Sequence, residues 1–315
     1  MIERNDLCWC GSGVKWKKCH YPHFSSSNPS SLALHYLKAY NIILKTPEQI
    51  EGIRKACKLT ARILDRLCSE AKEGVTTLQL DELSRKLHKE AGAIPACLGY
   101  GNPPYPKTIC TSLNEVICHG IPDNRPLQNG DILNIDVSTI LDGYFGDCSR
   151  MVLIGNVSSE KQLVSKVSLE CLHRSIAICK PGVPLSAIGK VIEDYATSMG
   201  LSVVNEFVGH GVGVKFHEPP EVAHHYNANH IPMVEGMTFT IEPMINVGVR
   251  SGVIDSKDGW TVRTKDGKPS VHFEHDVAVR KHKADILSDY SIIEKAELAN
   301  PNLFTGEQVV ESMTK

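Results

Sequence analysis

Residues 132–149 read ILNIDVSTILDGYFGDCS, two apolar runs that meet at an Asp-Gly pair, residues 142–143. An Asp-Gly pair between two such runs is the strongest short-range signal for a β-hairpin. With this pair as the two-residue loop, Ser138 lies opposite Asp147. Asp136 and Asp147 then point to the same face as diagonal neighbours, about 7–8 Å apart. Two carboxylates so placed can converge on a pair of metal ions.

Asp136 lies inside an apolar strand, between Ile135 and Val137. An ionised carboxylate in such surroundings is costly unless a cation neutralises it, and a metal ion would do so. Each aspartate taken alone has a simpler interpretation, because acids near a turn are commonly solvated groups on an exposed sheet face. The two interpretations are distinguished by what else the sequence brings to this face.

Three further side chains of metal-ligating type follow the hairpin. In residues 236–243, GMTFTIEP, Glu242 ends the polar face of an alternating strand. In residues 270–277, SVHFEHDV, Glu274 shares a face with polar residues. His210 lies between two glycines, which let the backbone approach a ligand closely. Two Asp, two Glu and one His form a mixed oxygen and nitrogen site that suits Mn, Fe, Co or Zn better than Ca or Mg.

The composition is that of an ordinary globular protein. Apolar residues make up 42% of the 315 residues, enough for one large core or two domains. The formal net charge of −2 argues against a protein whose main role is to coat nucleic acid or an anionic membrane. No apolar stretch reaches the roughly eighteen residues that span a bilayer, and residues 1–6 lack the plan of a signal peptide. We expect a cytoplasmic protein with no membrane partner.

Helical patterns and glycines organise the regions around the hairpin. Residues 46–68 begin with Thr-Pro and continue with apolar residues at steps of three and four, which predicts an amphipathic helix. A shorter helix is predicted within residues 32–44. Two units share a plan: Gly74 and Gly182 each precede a helical pattern that closes at a glycine eighteen residues on. The two halves of the body are related, or the likeness arose by chance.

Alternating polar and apolar residues at 132–137, 237–242 and 271–279 predict half-buried strands. Strands of this kind between amphipathic helices indicate an α+β fold with an antiparallel sheet at its centre.

A linker divides the chain, because residues 21–31, YPHFSSSNPSS, are rich in Ser, Pro and Asn and poor in apolar anchors. We predict a small N-terminal module at residues 1–22, a linker at 23–45, the main domain at 46–282 and a tail at 283–315.

Several strings resemble type I methionine aminopeptidases, the "pita-bread" metallopeptidase family, over roughly residues 46–280. They are PACLGY (95–100), NEVICHGIP (114–122), NIDV (134–137), GDCSRM (146–151), GHGVG (209–213), FHEPPEV (216–222), GMTFTIEPM (236–244), DGWTV (258–262) and FEHD (273–276). The resemblance implies a pseudo-two-fold antiparallel sheet covered by helices.

The resemblance also assigns roles. The dinuclear metal ligands would be Asp136, Asp147, His210, Glu242 and Glu274. Asp147 and Glu274 would bridge the two ions, and Glu242 would act as the base. His119 would contact the substrate amine or the scissile amide, and His217 would stabilise the oxyanion. The methionine pocket would be lined by Cys97, Tyr100, Tyr105, Cys110, Phe216 and Trp260. A monovalent cation would be held by Asn114, Val116 and Ser270.

Two departures from the family pattern bear on these assignments. Residues 101–104, Gly-Asn-Pro-Pro, make the link between Tyr100 and Tyr105 about two residues longer than is usual in the family. The resemblance therefore supports a pocket position for Tyr105 less strongly than for the other five residues. Only thirty-two residues separate Glu242 from Glu274, too few for the helical insert of type II enzymes.

The function implied is removal of the initiator methionine from nascent chains by a water activated by two divalent ions, Co, Mn, Fe or Zn. Two alternatives stay open. One is a catalytically inactive relative that serves as a binding module, whose signature would be a lost ligand. The other is an X-Pro peptidase, which shares the metal set and would differ in the pocket.

The chain has eleven cysteines, and most of them suit buried thiols in a reducing compartment. The cysteines of the predicted N-terminal module are the exception. Cys8, Cys10, Cys19 and His20 form a C-x-C-x₈-C-H arrangement, which suffices for a closed tetrahedral zinc site. The first spacing is tighter than the usual C-x₂-C, so a disordered reduced tail is the alternative. The segment resembles the zinc motif at the end of the translocation ATPase SecA, which implies docking to the ribosome or to a translation-associated protein.

Overall fold

The computed structural model describes Asn5, residues 14–19 and residues 30–291. Its helices are α1 (Trp16–Cys19), α2 (Ser31–Tyr40), α3 (Pro47–Glu70), α4 (Thr77–Glu90), α5 (Ser159–Ala177) and α6 (Ser186–Ser198). Its strands are β1 (Ile94–Pro95), β2 (Cys110–Leu113), β3 (Val116–Cys118), β4 (Ile132–Leu141), β5 (Tyr144–Leu153), β6 (Ser202–Val203), β7 (Gly209–Gly211), β8 (Glu218–Val222), β9 (Thr238–Ile241), β10 (Ile245–Asn246), β11 (Gly252–Ile254), β12 (Val262–Thr264), β13 (Ser270–Val271), β14 (Glu274–Val279) and β15 (Ala284–Ile286). No helix in this part of the chain is both long and apolar enough to cross a membrane.

The predicted hairpin is formed by β4 and β5, which pair over all ten residues of each strand. Both loop residues have positive φ, 52° at Asp142 and 81° at Gly143, as a type I′ turn requires. The predicted register is confirmed, since Ser138 lies opposite Asp147. Asp136 is two residues from Ser138 and therefore shares the face of Asp147.

The hairpin belongs to a sheet with nine strands in the described residues. β1, β4, β5, β14, β9, β7 and β8 follow one another, with β2 added to β4 and β15 to β14. Every one of these pairings is antiparallel. The predicted α+β class with a central antiparallel sheet is confirmed.

Helix α3 packs across β4 and β5. At its start the Gln49 N–H donates to Oγ1 of Thr46 at 3.2 Å, and the Thr46 N–H donates to Oε1 of Gln49 at 2.9 Å. This reciprocal cap confirms the predicted helix start. Gly146 lets the helix lie directly on β5, because a Cβ there would be 2.5 Å from the backbone nitrogen of Cys57.

The repeat seen in the sequence has a structural counterpart. The Gly74 N–H donates to the Leu127 carbonyl and the Gly182 N–H donates to the Met233 carbonyl, both at 2.9 Å. Leu127 and Met233 each donate back to the residue after the glycine, both at 2.8 Å. Helices α4 and α6 follow in equivalent places. The body therefore consists of two similar halves, as a pseudo-two-fold sheet requires.

The single strand predicted at residues 271–279 is wrong, because the chain there forms two strands in different sheets. β13 pairs with β10 in a three-stranded sheet with β6, whereas β14 joins the large sheet. Between them the His272 carbonyl accepts a hydrogen bond of 2.9 Å from the Asn134 side chain, not from a strand neighbour. Polar and apolar residues alternate through both pieces, so the pattern does not reveal the crossing.

Segments on both sides of the predicted main domain also pack against it. In the predicted linker, Tyr36 is buried and its hydroxyl donates to the Pro232 carbonyl at 2.9 Å. In the first part of the predicted tail, β15 pairs with β14, and Leu287 and Tyr290 are buried. The domain boundaries themselves stay predictions.

Candidate active site

Five side chains of metal-ligating type lie on five neighbouring strands. They are Asp136 on β4, Asp147 on β5, Glu274 on β14, Glu242 directly after β9 and His210 on β7. Nε2 of His210 lies 3.9 Å from Oδ2 of Asp147 and 3.8 Å from Oε1 of Glu242. Ligand atoms of Asp147, His210 and Glu274 all lie within 4.8 Å of one another, and all five residues line one cavity. The structure thus brings together the whole predicted set.

The electrostatics of this cluster favour bound cations. Burial raises the pKa of Asp136 to about 7 and that of Glu242 to about 8. Burial, and then the neighbouring carboxylates, raises the pKa of Asp147 and Glu274 well above its usual range. Burial lowers the pKa of His210 to about 4, so its imidazole is neutral and free to bind a metal. A buried set of four carboxylates and one neutral imidazole fits divalent transition metals.

Hydrogen bonds from neighbouring side chains orient the predicted ligands. Ser138 Oγ donates to Oδ1 of Asp147 at 2.9 Å, and Thr240 Oγ1 donates to Oε1 of Glu242 at 2.8 Å. Thr240 Oγ1 also accepts from the His210 N–H at 3.0 Å. The Nδ1 of His210 lies 3.0 Å from the carbonyl of Gly211, which leaves Nε2 directed toward the carboxylates.

An apolar pocket rich in sulfur and aromatic groups opens from the same cavity. Cys97, Tyr105 and Cys110 are buried together, with Phe216 and Trp260 packed against them. Tyr105 is held by hydrogen bonds from its hydroxyl to the carbonyls of Ile109 (3.1 Å) and Gly120 (2.9 Å). The longer link before Tyr105 therefore does not remove it from the cavity wall. Tyr100, the sixth residue predicted for the pocket, also lines the cavity.

The two predicted catalytic histidines lie beside the metal ligands. The ring of His217 lies 4.0 Å from that of His210, centroid to centroid, and stacks on Tyr100 at 5.0 Å. His119 has a positive φ of 58° and lines the same cavity. Burial lowers the pKa of His217 to about 3 and that of His119 to about 4. Both rings are thus neutral near pH 7 and can each donate one hydrogen bond.

The sequence profile of metallopeptidase family M24 matches residues 51–281. The chain belongs to family M24. The methionine aminopeptidase of Chlamydia pneumoniae is 58% identical over 287 residues, which cover 91% of this chain and 99% of that one. Among solved structures, the methionine aminopeptidase from Rickettsia prowazekii has a TM-score of 0.77 at 40% identity, covering 79% of this chain and 100% of that chain.

A solved structure with a different name has a similar fold. The X-Pro aminopeptidase from Thermotoga maritima has a TM-score of 0.63 at 22% identity, covering 80% of this chain and 63% of that chain. This likeness shows the pita-bread fold alone. A separate match, to the SEC-C motif, covers residues 4–22.

Asp276 is a buried part of this M24 site that the sequence analysis did not identify. It lies two residues after Glu274 on β14, and its Oδ2 accepts a hydrogen bond of 2.8 Å from the backbone N–H of Asp147. The same oxygen accepts a hydrogen bond of 3.1 Å from the thiol of Cys57. The two-residue step from Glu274 was the available signal, since alternate residues of a strand share a face.

The residues predicted to hold a monovalent cation are neighbours in the structure. The Ser270 N–H donates to the Asn114 carbonyl at 2.9 Å, and Val116 lies two residues from Asn114, at the start of β3. The Asn114 side chain accepts from Nζ of Lys161 at 2.8 Å and donates to Asp131 at 2.8 Å. The cation itself stays a prediction.

Three of the four predicted zinc ligands lie outside the residues that the structure describes. Cys8, Cys10 and His20 lie outside the described residues, and Cys19 is described only as the last residue of α1. Zinc binding there stays a prediction.

Proposed function

We propose that this chain is a metalloaminopeptidase that removes the N-terminal methionine of newly made proteins. One observation carries the proposal: five metal-ligating side chains and an apolar pocket lined by thiols and aromatic rings share one cavity of about 820 Å³. The cluster can activate water, and the pocket can select the residue whose amide bond is cut.

The pocket suits methionine among the apolar side chains. A thioether is polarisable and gains from contact with aromatic rings, and Tyr105, Trp260 and Phe216 provide such rings. Cys97 and Cys110 add two small thiols, whose pKa burial raises well above its usual range. These thiols therefore stay neutral and act as soft apolar contacts.

The metal ligands are Asp136, Asp147, His210, Glu242 and Glu274. Two divalent ions, Co, Mn, Fe or Zn, would supply a water of lowered pKa and positive charge for the developing oxyanion. A binding module without activity is disfavoured, because its expected signature is a lost ligand and all five are present.

Side chains of the protein carry out proton transfer, oxyanion stabilisation and substrate contact. Glu242 takes the proton of the attacking water on a carboxylate oxygen and delivers it to the leaving amine. His217 donates a hydrogen bond to the oxyanion, where a preorganised donor is most effective. His119 contacts the substrate amine or the scissile amide. Because burial keeps both histidines neutral, neither repels the cations or the ammonium group of the substrate.

We further propose that residues 4–22, which match the SEC-C motif, hold a structural zinc through Cys8, Cys10, Cys19 and His20. This module would dock the enzyme to the ribosome or to a translation-associated protein. Nascent chains in the cytoplasm would then be its substrates.

The test is cleavage of three peptides after the protein is loaded with Mn, Fe or Co. We expect rapid release of methionine from a Met-Ala peptide and little cleavage of matched Leu-Ala and X-Pro peptides. Preferential cleavage of the X-Pro peptide would instead support an X-Pro peptidase. No cleavage by protein that retains two metals would support the binding-module alternative.

A further inference from the structure

The cavity that holds the metal ligands is larger than one methionine needs. At about 820 Å³ it falls in the range of sites that enclose drug-sized ligands, whereas the thiol and aromatic pocket occupies one part of it. Another part of its wall is formed by Tyr40, Ile42, Asn229 and Ile231. These four residues are neither metal ligands nor members of the predicted methionine pocket.

Tyr40 and Ile42 come from the segment that precedes the M24 match, and this segment is firmly anchored. The Ile42 N–H donates to the Tyr36 carbonyl at 3.2 Å, and Ile42 is buried in the main core. The Lys45 N–H donates to the Gly236 carbonyl at 2.7 Å. The wall is therefore a built part of the cavity.

A buried ion pair joins the same segment to β8, which begins directly after His217. Nζ of Lys45 lies 2.5 Å from Oε1 of Glu218, and both side chains are only 1% exposed. Glu218 directly follows His217 in the chain, so the segment and the proposed oxyanion donor share an anchor. The position of Tyr40 is thereby fixed relative to the reacting groups.

The order of residues in the substrate decides what this wall can contact. A substrate of an aminopeptidase has one residue on the amino side of the cut bond, and the pocket described above receives it. The apolar wall outside that pocket and away from the metal ligands is therefore open to residues that follow the cut. Tyr40 is 36% exposed and Ile231 is partly exposed, so both present apolar surface to such residues.

We propose that Tyr40 and Ile231 form a subsite for an apolar side chain of the peptide that follows the cut bond. The inference deepens the proposed function and depends on it. It makes the segment before residue 46 a determinant of sequence preference among methionyl peptides.

The test compares kcat/KM for Met-Ala, Met-Ala-Ser-Ser and Met-Ala-Leu-Leu. We expect the wild-type protein to prefer the leucine peptide to the serine peptide. In Tyr40→Ala the loss on the leucine peptide should exceed the loss on the dipeptide by about three- to tenfold, the usual scale of one aromatic contact. Tyr40→Phe should keep most of the preference, because the ring supplies the contact.

Leu32→Ala is the matched control, since Leu32 is an exposed apolar residue of α2 that does not line the cavity. It should leave all three values unchanged. Equal losses on dipeptide and tetrapeptide in Tyr40→Ala, or no loss, would overturn the subsite while the peptidase assignment stands. A wild-type protein that cleaves none of the peptides would contradict the proposed function itself.

Discussion

Oδ2 of Asp276 and the backbone N–H of Asp147 are joined by a buried hydrogen bond of 2.8 Å. Asp147 is a proposed metal ligand, and this bond holds in place the strand that presents it. Asp276→Ala leaves a buried donor without its partner, a change that typically costs about 1–3 kcal/mol. We expect its metal affinity to fall about 10–100-fold, as for other groups that orient ligands.

Asp276→Asn is the matched variant, since its amide oxygen can still accept from Asp147. Its loss of affinity should be smaller. Titration of the metal-free proteins with Mn²⁺, followed by calorimetry, measures both. Wild-type affinity in Asp276→Ala would show that the bond does not hold the ligand in place.

Asp147→Asn and Glu274→Gln should each lose at least one metal and nearly all activity. An amide in place of a proposed carboxylate ligand would leave the bound cations insufficiently neutralised. Metal content per chain and turnover of a Met-Ala peptide are the measurements. Two bound metals with near wild-type turnover in either variant would contradict the ligand assignment.

His217→Ala should retain both metals and lower kcat far more than it raises KM, because its proposed hydrogen bond to the oxyanion strengthens only in the transition state. Loss of one such donor typically costs on the order of 10²–10³ in rate. Steady-state kinetics of the metal-loaded variant provide the measurement. An unchanged kcat would indicate a structural histidine.

The metal-free protein should lose stability as pH rises from about 6.5 to 8. Burial raises the folded pKa of Asp136 to about 7 and of Glu242 to about 8, far above the values of about 4 in an unfolded chain. In this window the folded state holds protons that the unfolded state has released. Deprotonation therefore favours unfolding, by on the order of 1–2 kcal/mol per group.

Below about pH 6.5 the buried neutral histidines act in the opposite direction, so the prediction applies only above it. Denaturant melts of metal-free protein at several pH values test it, with Glu242→Gln expected to show a shallower slope. Added Mn²⁺ should abolish the trend. A metal-free protein that is equally stable at pH 6.5 and 8 would rule out this account.

A chain that begins at residue 30, the cap of α2, should cleave short methionyl peptides at close to the full-length rate. Its activity on nascent chains at ribosomes should fall, because the tether that raises local enzyme concentration is gone. Cys8→Ser should mimic the deletion, since three ligands hold a structural zinc poorly. Zinc content of the isolated N-terminal segment and co-sedimentation with ribosomes test the docking role. Equal co-sedimentation of the truncated and full-length chains would contradict the docking role.

The sequence predicted that Asp136 and Asp147 share a face, because side chains alternate along a strand and the Asp-Gly turn determines the register. It could not predict which neighbour orients each ligand. Asp276 and Thr240 accept hydrogen bonds from the backbone N–H groups of Asp147 and His210 across neighbouring strands, and such bonds depend on the order of the strands. Strand order follows from long-range pairing, as when β14 enters between β5 and β9.

Helix α5 was not predicted, and its buried face explains why. Ser165, Ser168 and Ser175 are all buried, so the apolar stripe that announces a helix is interrupted by hydroxyl groups. Each of these serines donates its hydroxyl to a backbone carbonyl and is satisfied without an apolar neighbour. A pattern of hydrophobicity cannot reveal such hydrogen bonds.

One proposed metal ligand lies on, or directly after, each of five adjacent strands, and this arrangement limits how the sequence can evolve. A deletion or insertion of one residue before Asp136 in β4, or before Asp147 in β5, would turn every later side chain of that strand to the opposite face. The carboxylate would then enter the helix-covered layer, and the metals would lose a ligand. Lineages of this enzyme can therefore substitute residues in these strands, but length changes should accumulate in the connecting loops.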